Sequence, residues 1–350
     1  MLSSLTMRPL LPILAVLLIC AAACSQPAGT SRRAHLIERT HETMGSELKV
    51  TIWSDDEQGA EEGARQVFAE FDRLDRLLSV WKPGSDIERL NAAAGDHPVA
   101  VSSETLEVLR AARQVSEWTG GKFDVTFGAL SGLWRFDHDQ DNRIPDRAAV
   151  LKQLPLIDYR ALRIDDPAGT AFLARHGMRA HLGGIGKGYA VDRGVAILRA
   201  RGLRDFIVQA GGDMYVSGRR GNRPWRVGIR DPRGPEDQSF AALDLTDGSF
   251  STSGDYERYF IAGGRRYHHI LDPATGEPAR LSRSATIVAE TATLADALST
   301  GVFVLGPDAG MRLVERLPHV EAVIVGAAND VVISPGLRGR LMLLAPPTGP

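Results

Sequence analysis

A glycine-rich turn with a lysine is the first feature of this sequence that is suited to holding an anion. Residues 181–192 read HLGGIGKGYAVD, with four glycines around Lys187 and a helical pattern that continues through Val195 and Leu198. Glycines let backbone N–H groups approach a phosphate, and a helix N-terminus and a lysine add positive charge. The glycine spacing fits neither a Walker A loop nor G-x-G-x-x-G, so close backbone packing is the alternative interpretation.

Asp296 and Thr300 would place two hard oxygen ligands one helical turn apart. They lie in the run ADALST, and residues four apart share a helix face. Magnesium prefers oxygen ligands and keeps places for water and substrate phosphate, so a carboxylate, a hydroxyl and a backbone carbonyl would form a credible site. The stretch from Thr293 to Asp296 also has the form of a capping box, which is the alternative role for Asp296.

His269 is the candidate general base. It lies in YHHILDPATG, residues 267–276, where a strand pattern breaks into a turn at Asp272-Pro273. An imidazole titrates close to neutral pH, which suits proton transfer. Successive strand residues face opposite sides, so only one of His268 and His269 can enter a given pocket, and the sequence offers no partner ligands for a zinc site.

Trp81 is the candidate for stacking on a planar ring. It lies beside Lys-Pro-Gly in LSVWKPGSDIERLN, residues 78–91, and such an aromatic is expected at a surface or cleft, although a core position is the alternative. Similar mixtures of glycine, polar and apolar residues occur at other element boundaries: MGS from Met44, GGKFD at 120–124, AGGD at 210–213 and STSGD at 251–255.

Helices and then a sheet are predicted to position these motifs. Apolar residues recur at helical spacing over Glu57–Leu78 and Ser103–Trp118. From residue 206, short β-rich runs alternate with Gly, Asp and Pro turns, and helices return over 293 to about 304 and about 308 to 317. Segregated helices and antiparallel-looking strands indicate an α+β fold rather than a doubly wound sheet.

The composition excludes one large class of partner. The 350 residues are 43% hydrophobic and 24% charged, which is typical of a globular protein. A formal net charge of -2 leaves no basic surplus for counterion release, so nucleic acid is not an expected partner.

The N-terminal residues predict export. Arg8 precedes an apolar run over 10–19 and three alanines before Cys24, which is the pattern of a secretory signal over 1–24. The apolar run is too short to span a membrane comfortably. The AAAC sequence resembles a bacterial lipobox, in which Cys24 is acylated and becomes the new N-terminus; a plain cleavage site is the alternative.

The remaining chain is divided into a tether and one domain. Residues 25–34 are small and polar and predict a flexible tether, followed by a domain over 35–345. Both cysteines, Cys20 and Cys24, precede that domain, so it has neither a disulfide nor a thiolate metal site. We therefore expect an exported protein that is lipid-anchored to a bacterial membrane and faces the periplasm.

The order of the motifs carries a resemblance. The chain reads M-G-S, L-S-x-W-x-P-x-S-x-I-x-x-L-N, F-D-V-T, G-G-I-G-K-G-Y-A-V-D, A-G-G-D, T-S-G-D-Y, H-H-I-L-D-P-x-T-G and D-A-L-S-T. From about Met44 to Gly306 it resembles the ApbE family of FAD:protein FMN transferases. The resemblance implies an α+β fold of helices and largely antiparallel sheet that binds FAD in a cleft between subdomains, with magnesium at the pyrophosphate.

The implied reaction transfers FMN from FAD to a threonine or serine hydroxyl of an acceptor flavoprotein. A phosphoester forms and AMP leaves. Acceptors in such families are subunits of membrane electron-transport complexes or exported reductases, so membrane anchoring through Cys24 fits. Two alternatives are a pyrophosphatase that splits FAD into FMN and AMP, and a flavin-binding lipoprotein without catalysis, against which the complete Asp296, Thr300 and His269 motifs argue.

The resemblance also implies roles for individual residues. His269 would help to deprotonate the incoming hydroxyl. The FAD site would comprise Met44, Trp81, Lys122, Phe123, Asp124, His181, Lys187 and Ile270. The magnesium ligands would be the backbone carbonyl of Gly184 with Asp296, Ser299 and Thr300. His181 departs from the family, where an aspartate is common at this position.

Overall fold

The computed structural model describes Met1, residues 33–137 and residues 139–349. The predicted signal peptide over 1–24, the acylated Cys24 and almost all of the tether over 25–34 lie outside the described residues. Residues from Arg33 onward form one compact unit. Among the described residues, no helix is both long enough and apolar enough to cross a bilayer.

The predicted helices are confirmed. The six α-helices of the described residues are α1 (Glu57–Leu78), α2 (Asp86–Ala92), α3 (Ser103–Trp118), α4 (Arg147–Gln153), α5 (Gly186–Ala200) and α6 (Ala292–Val314). The two helices predicted near the C-terminus are the halves of α6, which kinks at Gly306, where φ is 78°, directly before Pro307. Single 3-10 turns occur at Gly128–Leu130, Leu154–Leu156, Tyr159–Ala161 and Pro335–Leu337.

The predicted sheet is also confirmed, and its paired strands are antiparallel. The strands of the first half are β1 (His35–Thr43), β2 (Ser46–Ser54), β3 (Val99–Ala100), β4 (Leu162–Asp165), β5 (Thr170–Leu173), β6 (Phe206–Ala210), β7 (Asp213–Ser217), β8 (Trp225–Arg230) and β9 (Ser239–Leu245). Those of the second half are β10 (Asp247–Gly254), β11 (Tyr259–Ala262), β12 (Arg265–His268), β13 (Leu271–Asp272), β14 (Glu277–Pro278), β15 (Ser282–Ala289), β16 (Glu321–Gly326), β17 (Val331–Ile333) and β18 (Leu341–Leu343).

An eight-stranded sheet in the order β1-β2-β6-β7-β10-β15-β16-β17 forms the central layer. Helices α1, α5 and α6 cover one face, where Phe71, Phe206 and Phe303 are fully buried. The three-stranded sheet β18-β9-β8 belongs to a second core that contains Phe240 and Phe250. The mixture of helices and antiparallel strands confirms the α+β prediction.

The predicted strand over 267–271 is interrupted at His269. β12 ends at His268, and the backbone N–H of His269 donates to the carbonyl of Arg258 at 3.1 Å. The next residue, Ile270, accepts from the N–H of Ala279 at 2.9 Å, so the chain changes its pairing partner at this point. His269 and Ile270 therefore belong to neither β12 nor β13.

The Asp86 carboxylate joins helices α2 and α3, and this contact gives a stability prediction. Its buried carboxylate accepts from the N–H of Ser102 at 2.8 Å, from the Ser102 hydroxyl at 2.7 Å and from the Thr105 hydroxyl at 2.7 Å. Asp86→Ala would leave these donors without a partner, so we expect the free energy of unfolding to fall by about 3 kcal/mol. Urea denaturation measures this, and an unchanged midpoint would contradict the assignment.

The same carboxylate gives a pH dependence. Burial alone would raise the pKa of Asp86, yet hydrogen bonds from Thr105 and Ser102 hold it below its ordinary value. A lowered pKa in the folded state contributes stability above the unfolded pKa of about 4, and that stability is lost as the pH falls further. The difference between wild type and Asp86→Ala should therefore shrink below pH 4, as the pH approaches the folded pKa.

Candidate active site

A cavity of about 860 Å³ opens where loops from both halves of the chain meet. Its wall contains the β1–β2 turn, the residues after α1, the turn before α5, the β6–β7 turn and the end of β10. The turns at Met44 and Gly211 have positive φ values of 51° and 58°. This size is within the range of pockets that hold cofactors.

The structure brings nearly all the predicted site residues to this one cavity. Those in its wall are Met44, Trp81, Lys122, Phe123, Asp124, His181, Gly184, Lys187, His269, Ile270, Asp296 and Thr300. Ser299 is not among them. Its buried hydroxyl donates to the carbonyl of Asp296 at 2.8 Å and lies 2.8 Å from the Ser253 hydroxyl. Its role as a metal ligand stays a prediction from the resemblance.

The glycine-rich turn combines close packing with access to the cavity. A Cβ on Gly188 would lie 2.2 Å from the carbonyl oxygen of Ala292, so only glycine fits against α6. A Cβ on Gly184 would lie 3.2 Å from Thr300 Oγ1. The two interpretations of the turn therefore apply to different glycines, because Gly188 is a packing residue and Gly184 lies in the cavity wall beside Thr300.

Lys187 reaches a carboxylate that sequence reasoning did not connect to it. Its Nζ forms an ion pair with Asp213, which also accepts from the Ser251 hydroxyl. Although burial disfavours the charged amine, Asp213 and Asp296 raise the pKa of Lys187 above its ordinary value. The cation is therefore fixed at the cavity wall and compensates two buried carboxylates.

The ion pair between Lys187 and Asp213 gives a second stability prediction. Lys187→Met would leave the buried Asp213 carboxylate without its cation, and breaking such a pair costs about 3 kcal/mol. We expect that loss in urea denaturation without FAD, and we expect Lys187→Met combined with Asp213→Asn to recover most of it. A single variant as stable as wild type would show that the pair does not support the fold.

Asp296 caps another helix rather than its own. Its Oδ2 accepts from the backbone N–H of Gly188 in the first turn of α5 at 2.9 Å. The N-cap of α6 is Thr291, whose hydroxyl accepts from the N–H of Leu294 at 3.3 Å. The capping-box alternative for Thr293 and Asp296 is therefore wrong, because α6 begins earlier than that pattern assumes.

The environment of Asp296 favours a neighbouring cation. Burial raises the pKa of Asp296 to about 7, and the Asp213 carboxylate adds to this effect, whereas Lys187 opposes it. Among the described residues, no three His, Cys, Asp or Glu side chains gather as a metal site. A set of one carboxylate, the Thr300 hydroxyl and the Gly184 carbonyl instead fits magnesium, which keeps places for water and phosphate oxygens.

His269 projects a neutral imidazole into the cavity. Its Nδ1 is buried and has no hydrogen-bond partner among the described residues. Burial, together with the positive charge of Arg258, lowers the pKa of His269 well below its ordinary value. An unpaired neutral ring nitrogen is the form that accepts a proton.

Its neighbour His268 has a structural role. Nε2 of His268 bonds to the carbonyl of Ala279 at 2.7 Å, and the ring packs edge-on against Phe303. His268 is absent from the cavity wall, whereas His269 lies in it. The prediction that only one of the two histidines enters the pocket is confirmed.

Several wall residues use their polar groups within the protein. Lys122 Nζ bonds both carboxylate oxygens of Asp272 at 2.8 and 2.9 Å. The Asp124 carboxylate accepts from the N–H and hydroxyl of Thr126 and from the N–H of Tyr159. These side chains therefore hold the loops that form the wall, while Trp81, 47% exposed, offers an indole surface there.

His181 is kept neutral as well. Its Nδ1 accepts from the N–H of Gly183 at 3.0 Å, and its ring packs against Phe127 with 5.4 Å between centroids. Burial lowers the pKa of His181 to about 4. The His181 side chain is thus uncharged at neutral pH.

Sequence reasoning missed the partners that hold these groups. The AGGD and STSGD motifs, for which the sequence alone indicates no role, supply Asp213 and Ser251. Arg258, in the cavity wall beside His269, pairs with Asp137, which is also a wall residue. These pairings depend on strand register and loop positions, which no short motif reveals.

Comparison with known proteins agrees with this geometry. A sequence model of the ApbE family matches residues 44–324. An FAD:protein FMN transferase of Klebsiella pneumoniae (strain 342) is 33% identical over 334 residues, covering 93% of this chain and 95% of the relative. The FAD:protein FMN transferase of Treponema pallidum (strain Nichols) is 33% identical over 343 residues, covering 93% and 94%.

Solved structures show the same fold. The ApbE protein from Thermotoga maritima superposes with a TM-score of 0.81 at 34% identity, covering 87% of this chain and 99% of that chain. The flavin transferase ApbE from Vibrio cholerae superposes with a TM-score of 0.76 at 26% identity, covering 88% and 99%. The chain belongs to the ApbE family.

Proposed function

We propose that this chain is an FAD:protein FMN transferase. It transfers the FMN half of FAD to a serine or threonine hydroxyl of an acceptor flavoprotein, and AMP leaves. The observation that carries the proposal is that the neutral imidazole of His269 and the oxygen set of Asp296, Thr300 and Gly184 lie in the wall of one cavity. This is the combination that phosphoryl transfer to a hydroxyl requires.

The step balances as a substitution at phosphorus. The acceptor oxygen bonds to the phosphorus of the FMN half, the bridging P–O bond breaks, and AMP leaves with that oxygen. The His269 imidazole receives the proton of the hydroxyl, which its neutral state allows. Arg258 and Lys187, both in the cavity wall, would add positive charge beside the phosphates.

Magnesium is the metal we propose for the oxygen set. Asp296, Thr300 and the carbonyl of Gly184 would hold it, with Ser299 behind them. Bound there, it supplies Lewis-acid neutralisation of the phosphate oxygens. The charge of Lys187 is engaged by Asp213, so this residue would orient the site as well as contact the nucleotide.

Location and partners follow from the N-terminal residues. We propose that residues 1–24 are a signal peptide, that Cys24 is acylated, and that residues 25–34 tether the enzyme to a bacterial membrane facing the periplasm. What supports this is the order of Arg8, the apolar run and AAAC. The acceptor would then be an exported reductase or a subunit of a membrane electron-transport complex with domains in that compartment.

The test does not require that the acceptor be known. The chain, FAD and Mg²⁺ are added to a periplasmic extract of the source cells, and covalent flavin is detected by its fluorescence on a denaturing gel. We expect a fluorescent band that depends on the chain and disappears when EDTA is added. Free FMN and AMP without any such band would instead support the pyrophosphatase, and intact FAD would exclude both enzymes.

A further inference from the structure

We infer that Asp192 is a positioning residue for the metal site, although it lies outside the cavity. It is on α5, two turns beyond Gly184, and its side chain reaches across to the N-terminus of α6. The inference rests on the proposed metal-dependent FMN transfer. The sequence motifs alone indicate no role for Asp192.

The Asp192 carboxylate caps α6 from another helix. It accepts from the backbone N–H of Ala292 at 2.8 Å, from the N–H of Thr293 at 2.9 Å and from the Thr293 hydroxyl at 2.5 Å. The first N–H groups of a helix have no partner within the helix, and a negative charge is favourable there. One half-buried side chain on α5 therefore satisfies the start of α6.

The cap is reciprocal. Asp296 on α6 accepts from the N–H of Gly188 in the first turn of α5, while Asp192 on α5 receives the first N–H groups of α6. Between these two contacts the backbones approach so closely that a Cβ on Gly188 would lie 2.2 Å from the Ala292 carbonyl oxygen. The two helices are thus fixed against each other at both ends of a single turn.

These contacts form an antiparallel ladder whose rungs are four residues apart on each segment; the third rung lies in the turn before α5. Its first rung joins Asp192 to residue 292. Its second joins Gly188 to Asp296, and its third places Gly184 beside Thr300. The proposed metal ligands occupy the second and third rungs. A slip of one residue along a helix moves a side chain by about 1.5 Å, whereas a functional site tolerates about 0.5 Å.

The contact of Asp192 with residue 292 therefore sets the position of Asp296 against Gly188 and of Thr300 against Gly184. Asp192→Asn keeps the size of the side chain, but its amide turns N–H groups toward the backbone donors of α6. We expect α6 to shift against α5 and the metal affinity to fall, while the ligands themselves remain present.

The experiment measures metal binding without turnover. Mn²⁺, which has the same ligand preferences as Mg²⁺, is titrated into the chain without FAD, and the free ion is followed by its EPR signal. For Asp192→Asn we expect the dissociation constant to rise about tenfold or more, the range found for residues that support metal ligands. In the transfer reaction, the Mg²⁺ concentration for half-maximal rate should rise similarly, with kcat largely recovered at saturating Mg²⁺.

Asp86→Asn is the matched control. Like Asp192, Asp86 accepts three hydrogen bonds at the start of another helix, in its case from one backbone N–H and two hydroxyl groups, and it is absent from the cavity wall. Both variants should lower the melting temperature, and only Asp192→Asn should change Mn²⁺ affinity. Equal Mn²⁺ affinity in Asp192→Asn and wild type overturns the inference alone, whereas a wild type that binds no Mn²⁺ overturns the proposed metal site as well.

Discussion

Asp296→Asn is expected to lower kcat for FMN transfer about 10³-fold without unfolding the protein. The amide oxygen can still accept from the N–H of Gly188, so the contact between α5 and α6 is kept. What is lost is the negative charge on the proposed metal ligand. Because burial disfavours that charge in the free protein, the melting temperature should stay the same or rise.

The control for Asp296→Asn is Asp231→Asn. Asp231 is a buried carboxylate outside the cavity wall that accepts from the N–H and hydroxyl of Thr348. This variant should lower the melting temperature and leave kcat unchanged. Steady-state AMP release at saturating FAD and acceptor measures both variants. An Asp296→Asn enzyme with at least a tenth of the wild-type kcat would refute the metal-ligand role.

His269→Ala is expected to lower kcat by about 10²- to 10⁴-fold, the usual contribution of a general base, with FAD affinity nearly unchanged. The imidazole is neutral in the folded protein because burial and Arg258 lower the pKa of His269. His269 therefore stays unprotonated well below pH 6.5, so its protonation should not slow the wild-type enzyme between pH 8 and pH 6.5.

Chemical rescue separates a base from a packing residue at this position. Added imidazole should restore part of the rate of His269→Ala, because a small base can enter the space left by the ring. His176→Ala, which removes an exposed imidazole outside the cavity wall, is the control and should retain full activity. If imidazole does not raise the rate at any pH, His269 acts through packing and not as a proton acceptor.

Local periodicity predicted much of the fold. The bounds of α1 and α3 follow from apolar residues at helical spacing, and the kink of α6 follows from Gly306-Pro307. The α+β class followed from the segregation of helices and strands along the chain. Such features depend on neighbours in sequence, so a single chain is enough to reveal them.

The sequence predicts which residues form the site but not the hydrogen bonds and ion pairs between them. Motif order pointed to His269, Asp296 and Thr300, and the cavity contains all three. The partners of these residues depend on tertiary contacts, so the Lys187–Asp213 pair was not foreseen.

Two predictions from the sequence are wrong for the same physical reason. The capping-box alternative assigned Asp296 to its own helix, and a continuous strand was expected through His269. Each assumed that hydrogen bonds are made to near neighbours in sequence. In the folded chain, Asp296 bonds to Gly188, and Ile270 pairs with Ala279.

The most direct test of the central claim is the stoichiometry of AMP release. The chain without residues 1–24 is incubated with FAD, Mg²⁺ and an acceptor identified on the fluorescent gel. AMP and the intact mass of the acceptor are then followed together. We predict one AMP for each acceptor molecule that gains one FMN in phosphoester linkage, with no AMP in the absence of acceptor. AMP released equally with and without acceptor, and no mass gain, would contradict transfer.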